Sequence, residues 1–184
     1  MKGMPGWSAP ADLGNASWGL RVEYCLATTF YTGHLPASGT WGALVAFGLH
    51  AALFPALFAP AQMLWGGLLL LAVIVFGVIA SNHIEAITGK KDDSRITIDE
   101  VAGYFVAVLF LPPGLAYAIP AFLLARFFDI VKLPPADGLQ RLSGGWGVMI
   151  DDLVASLYAL ALMHVYAYTG LGETVQAWFN GLGL

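Results

Sequence analysis

The sequence predicts an all-α fold, an integral membrane helical bundle, and three observations carry that prediction. Hydrophobic residues make up 58% of the 184-residue chain and charged residues only 11%, against about 25% charge in an ordinary soluble domain. The mean hydropathy is +0.72. The few charges gather in short stretches between long apolar runs, the pattern of spans joined by interfacial loops. The length suits one domain, residues 1–184. A net charge of −4 gives no basic field for nucleic acid. Cys25, the lone cysteine, leaves no internal disulfide and no cysteine metal cluster.

Residues 1–14 read as a flexible tail containing Gly and Pro, without the charged and apolar regions of a cleavable signal. Asn15–Phe30 places Leu20, Tyr24 and Ala27 on one helical face, with Asn15 or Ser17 available as a cap. This predicts a short amphipathic helix at the membrane surface. Thr32–Thr40 reads as a loop. Ser38, Gly39 and Thr40 then stand at the N-terminus of an apolar helix starting near Trp41, where free N–H groups favour an anion. His34, in the same loop, is a candidate proton donor.

Trp41–Phe58 and Gln62–Ala80 form a hairpin of spans over 41–80, the second close to the ~20 residues a bilayer crossing needs. Val101–Leu111 and Leu115–Ala125 flank Pro112-Pro113-Gly114, and each holds eleven residues, too few to span upright. They make either one kinked crossing or a helical hairpin. With a hairpin over 101–125, all eight Lys and Arg fall on one face; with a single crossing they split five and three. The positive-inside rule favours the hairpin. The final span is 153–169, with His164 read as a packed core or interface residue. Gly170–Leu184 reads as a weakly amphipathic tail on the opposite face.

The charges carry the chemistry. Residues 89–103 hold Asp92, Asp93, Asp99 and Glu100 beside Lys90, Lys91 and Arg95, between apolar flanks. Such a cluster is costly unless it faces water, a metal ion or a charged ligand. Carboxylates beside cations suit a phosphate held with a hard divalent metal. Further on, Arg126, Asp129 and Lys132 share a face at helical spacing, and Asp151-Asp152 open the last span after Gly144-Gly145. The hairpin brings these segments and the Gly33–Thr40 loop to one face, which points to a Mg2+-dependent enzyme acting on a phosphate at the membrane surface. The candidate metal ligands are Glu100 and Asp152, then Asp129, with Asp99 in the same pool. The candidate catalytic residues are Asp99, Asp129, Lys132 and Asp151. The candidate substrate contacts are His34, Ser38, Gly39, Thr40, Lys91, Arg95 and Arg126. There is no Cys-x5-Arg loop, no Asp-x-Asp pair and no P-loop.

Three stretches, in order, resemble the bacterial phosphatidylglycerophosphatase A family across about residues 28–160. They are Gly33-His34-Leu35-Pro36-Ala37-Ser38-Gly39-Thr40-Trp41-Gly42, then Lys91-Asp92-Asp93 through Ile98-Asp99-Glu100-Val101-Ala102-Gly103, then Arg126-Phe127-Phe128-Asp129-Ile130-Val131-Lys132 through Gly144-Gly145-Trp146-Gly147-Val148-Met149-Ile150-Asp151-Asp152. The resemblance implies a Mg2+-dependent hydrolase of phospholipid biosynthesis. It would convert phosphatidylglycerophosphate to phosphatidylglycerol and inorganic phosphate. The implied setting is the bacterial inner membrane, multi-pass, with the active site facing the cytoplasm and membrane lipids as partners. Ser38 stands where the family often has proline, and Tyr31-Thr32 where a small, glycine-rich run is more usual. A CDP-alcohol phosphotransferase is the nearer rival, but its spaced run of Asp, Gly and Arg along one helix is absent. A small transporter is the other; it needs ionisable groups near the midplane, and here only His50 and His164 lie inside spans.

Overall fold

The computed structural model describes residues 16–91 and 93–183, and among these it contains eight α-helices and no β-strand. The tail at 1–14, Asn15 and Asp92 lie outside the described residues. Helix α1, Trp18–Ala27, is the predicted amphipathic helix. Ser17 caps it by accepting the Leu20 N–H at 3.3 Å; Tyr24 and Ala27 are buried while Trp18, Val22 and Leu26 are exposed.

Helix α2, Ser38–Leu53, starts and stops earlier than the sequence suggests. It stops because Phe54 precedes Pro55, which disfavours helical backbone at Phe54. Its length is about 24 Å, short of a full crossing. Helix α3, Met63–Thr88, runs eight residues past Ala80. That polar extension ends at Gly89, whose φ of 65° suits a residue without a Cβ. Helix α4 is Ile98–Ala107 and α5 is Leu115–Val131. They run antiparallel, since Arg126 near the end of α5 pairs with Glu100 at the start of α4.

After the short α6, Ala136–Leu139, helix α7 covers Gly145–Tyr168 and α8 covers Leu171–Gly181. Helix α7 begins eight residues before the expected 153, so Asp151 and Asp152 lie in its second turn and not at its mouth. The cause is a cap from elsewhere: Gly145 N–H donates to Asn82 Oδ1, on the α3 extension, at 2.8 Å. The segments Pro60–Thr88 and Gly145–Tyr168 are long and apolar enough to cross a membrane.

Helix α4 is the centre of the bundle, with Val101 through Val108 all buried. It packs between α2, α3, α5 and α7. Small residues allow the close approach: Gly103 sits against Ser156 of α7, and Gly77 of α3 against Met149. The starts of α2, α4 and α7 and the end of α5 therefore meet at one end. At the other end α8 packs on the start of α5, where Gln176 Oε1 accepts the Ala116 N–H at 3.2 Å. His50 is buried and shares a 2.8 Å hydrogen bond with Tyr104 Oη. His164 is not a core residue of this chain: it is exposed and tied to the Leu109 carbonyl at 3.1 Å.

The loop between α3 and α4 is braced by Asp93. Its buried carboxylate accepts the Arg95 backbone N–H at 3.1 Å, the Arg95 side chain at 2.5 Å, and Lys90 Nζ at 3.4 Å. Burial alone would raise its pKa, but the Arg95 hydrogen bonds and charge, with Lys90 beside them, hold it below the usual carboxylate value. A lowered folded pKa stabilises above the unfolded value of about 3.9, and the gain is lost as pH falls through the folded value. Asp93→Asn is therefore expected to cost about 1.5–3 kcal/mol at neutral pH. The difference from wild type should vanish in acid. Thermal melts of both proteins in detergent across that range check it.

Candidate active site

Four carboxylates from three helices meet at the crowded end. Glu100 is in the first turn of α4, Asp129 is near the end of α5, and Asp151 and Asp152 are in the second turn of α7. One oxygen from each of Glu100, Asp129 and Asp152 lies within 4.8 Å of the others. Asp99 joins them in lining a cavity of about 280 Å3, and Ser38 and Gly39 from α2 line it too. Helix α2 brings its N-terminus here because Gly39 has no side chain: a Cβ would strike the Glu100 carboxylate and stand 3.0 Å from Arg126 Nη2. The positive end of α2 thus faces Glu100.

Two cations answer these acids. Lys132 ends α5 in the left-handed conformation, φ 44°, which turns its chain back over the helix end. Its Nζ stands 2.5 Å from Asp151 Oδ2, 3.5 Å from Asp152 Oδ1 and 3.6 Å from Asp129 Oδ1. Burial would lower the Lys132 pKa, but the charges of Asp152, Asp151 and Asp129 and the Asp151 hydrogen bond raise it. Lys132 is therefore a fixed ammonium. Arg126 contacts Glu100 Oε2 through Nη1, which also lies 2.9 Å from Asp129 Oδ2.

The arrangement holds more acids than cations. Asp99, Glu100, Asp129, Asp151 and Asp152 are five carboxylates against the two cations. Asp151 Oδ1 is buried and has no hydrogen-bond partner among the described residues. Carboxylates packed this closely repel one another when ionised, and a further cation relieves that repulsion. The donors are all carboxylate oxygens, with room for the waters and phosphate oxygens that a small hard divalent ion keeps. The residues present fit such an ion.

Not every sequence candidate meets this cavity. Ser38 and Gly39 line it, and Ser38 Oγ donates to the Ser94 carbonyl at 2.8 Å. Thr40 lies one residue further on and its N–H bonds to the Ala37 carbonyl at 2.9 Å. Arg126 does not line the cavity; it lies among the carboxylates, 13% exposed, and its Nη1 is shared between Glu100 and Asp129. His34 is outside the cavity, 3.1 Å from Tyr24 Oη and between the Tyr24 and Tyr31 rings. Burial and the Arg95 charge lower its pKa. Arg95 is committed to Asp93, and Lys91 is exposed on the same loop. The sequence reading missed Ser94 and Ile96, which line the cavity; the flanking Asp93 and Arg95, two apart, were the available signal of a folded turn there.

The Gly39 contact gives a direct prediction. Gly39→Ala should displace Glu100 and lower activity roughly 10–100-fold, the scale for disturbing a group that orients a ligand. The melting temperature should move little. Steady-state kinetics beside a melt check both halves.

Comparison with known proteins bears on the same residues. The family model described as Phosphatidylglycerophosphatase A matches residues 25–167, a range that holds the whole cluster. A Bacteroides thetaiotaomicron protein named as a candidate phosphatidylinositol-3-phosphatase is 37% identical over 145 residues, covering 76% of this chain and 90% of that protein. A Haemophilus influenzae protein named phosphatidylglycerophosphatase A is 32% identical over 152 residues, covering 81% of this chain and 91% of its own. An Escherichia coli protein of the same name is 28% identical over 144 residues, covering 77% and 81%. No solved structure matches.

Proposed function

The chain belongs to the phosphatidylglycerophosphatase A family and is a phosphatase, and from that premise we propose a Mg2+-dependent membrane enzyme that hydrolyses phosphatidylglycerophosphate to phosphatidylglycerol and inorganic phosphate. The observation that carries this reading is the surplus of buried carboxylate around Glu100, Asp129 and Asp152. In this reading those three hold Mg2+, with Asp99 beside them. Bound there, the ion supplies Lewis-acid polarisation of the phosphoryl group and lowers the pKa of a nearby water.

The chain's own residues do the rest. Lys132, held protonated, offsets charge on the phosphate as a point cation. The N-terminus of α2 at Ser38 and Gly39 offers N–H groups and a positive dipole to the phosphate oxygens. Asp151, which lines the cavity and is anchored to Lys132 through Oδ2, takes a proton from the attacking water. The water oxygen bonds to phosphorus as the bond from phosphorus to the glycerol oxygen breaks, and that oxygen leaves with a proton from solvent. Arg126 keeps Glu100 and Asp129 in place, so it acts through them. Lys91, exposed on the loop before Asp93, offers its ammonium to the substrate's headgroup.

The two long apolar helices α3 and α7 support a membrane location. The gathering of Lys90, Arg95, Arg126 and Lys132 at the cavity end supports a cytoplasmic site in a bacterial inner membrane. The name of the Bacteroides relative favours a second reading, the same chemistry on a phosphoinositide.

One assay separates them. Purified protein in mixed micelles should release phosphate from phosphatidylglycerophosphate with Mg2+. It should stop with EDTA, recover when Mg2+ is restored, and work less well on phosphatidylinositol 3-phosphate. Release that ignores EDTA would overturn the metal role. A higher kcat/KM on the phosphoinositide would favour the second reading.

A further inference from the structure

A second cavity, of about 260 Å3, lies between α1, α2, α3 and α4. Its wall is hydrocarbon, formed by residues such as Leu26, Phe30, Leu49, Val73, Phe76 and Val101. The only hydroxyl in the lining belongs to Thr29, and that group already accepts a 2.9 Å hydrogen bond from Thr97 Oγ1. Nothing in this cavity can satisfy a polar ligand. Its flanks are apolar too, with Leu44, Leu49, Leu69 and Val75 exposed along α2 and α3. An α-helix, about 10 Å across with its side chains, is too large an occupant for this volume.

The cavity shares a wall with the catalytic one. Thr29 and Phe30 line the apolar cavity, while Ser38 and Gly39, a few residues on, line the catalytic cavity. Likewise Ile98 and Val101 face the first, while Asp99 and Glu100 between them face the second. The wall between is tight: a Cβ on Gly42 would meet the Thr97 side chain.

At the mouth the chain is strained. Thr29, Phe30 and Tyr31 have φ of 45°, 58° and 64°, a run that residues with a Cβ disfavour. Hydrogen bonds to Thr28 brace it: Thr28 Oγ1 donates to the Tyr24 carbonyl at 2.8 Å and accepts the Tyr31 N–H at 3.2 Å. The outcome is Phe30 held 56% exposed over the opening.

We infer that this groove binds one acyl chain of the phospholipid substrate, with Phe30 covering the chain where it enters. The inference rests on the phospholipid phosphatase reading above. A hydrocarbon slot one wall away from the phosphate cavity, on the flank of a candidate membrane span, suits a ligand with a charged end and an apolar chain. The headgroup enters between Ser38 and Asp152, and one chain passes over the start of α2 into the groove.

Two measurements test it. In the first, phosphatidylglycerophosphate with a diazirine in mid-chain is placed in phosphatidylcholine vesicles with the enzyme, illuminated, and the label mapped by mass spectrometry. Label should concentrate on Leu49, Val73 and Phe76. Label spread evenly over the exposed flanks of α3 and α7 overturns the inference. In the second, Ala46→Phe fills the groove floor. Its KM for the long-chain lipid should rise about tenfold, as for a pocket that loses methylene contacts. Its kinetics on the deacylated headgroup, which has no chain, should not change. If Ala46→Phe fails to fold, Phe30→Ala at the exposed mouth should show the same selective rise. Equal effects on both substrates, or on neither, overturn the inference. Wild-type protein that is labelled in the groove but releases no phosphate from lipid or headgroup would instead sink the phosphatase substrate reading, leaving the groove as a lipid site.

Discussion

Asp152→Asn is expected to lower Mg2+-dependent phosphate release on the order of 10²–10³-fold, the scale for losing one preorganised electrostatic group at a reaction centre. The thermal stability of the same variant should hold or rise. Both directions follow from the cluster. Asp152 is 3% exposed and contributes one of the three mutually close oxygens. Removing its charge takes away a ligand for a hard cation. It also takes one acid from five that crowd two cations, which leaves fewer carboxylates to repel one another when no metal is bound. Glu100→Gln and Asp129→Asn should behave alike, although each also gives up a contact with Arg126. Kinetics at saturating Mg2+ beside melts in EDTA measure the two effects separately. Wild-type turnover in all three variants would remove the trio from the site.

Lys132→Met is expected to fail in both respects. Its ammonium is the cation shared by Asp129, Asp151 and Asp152. Taking one partner from a buried charged group costs about 3–5 kcal/mol, and with Lys132 28% exposed the lower end applies. Lys132→Arg is the sharper variant. It keeps the charge, so stability should stay near wild type. A planar fork in place of a point charge changes reach and geometry, so most of the turnover should go. A melt and a kcat/KM measurement on each protein check this. Full activity in Lys132→Arg would make Lys132 a brace for the acids and no more.

The apolar runs of α3 and α7 were legible because nothing but length and hydropathy is needed to read them. That three distant charged segments meet at one end was legible too, through the count of cations on each side of Pro112-Pro113-Gly114. The start of α7 was not. Gly144-Gly145-Trp146-Gly147 has the composition of a loop, and the cap that makes it helical comes from Asn82, sixty-three residues away. Helical spacing placed Arg126 on the face of Asp129, but it carries no information about what lies opposite. Opposite is Glu100, on another helix, and Arg126 is consumed there. His34 sits in a promising loop, yet the fold gives its ring to Tyr24. The apolar groove needs four helices to exist, so no single segment records it.

Glu100, Asp129 and Asp152 are expected together to hold the ion that phosphate removal requires. Crystals of the protein grown with Mn2+ in place of Mg2+, measured at an anomalous wavelength, test it most directly. The expected result is a peak coordinated by oxygens of all three side chains, absent from crystals of Asp152→Asn. A peak elsewhere on the molecule, or an unchanged peak in that variant, would contradict it.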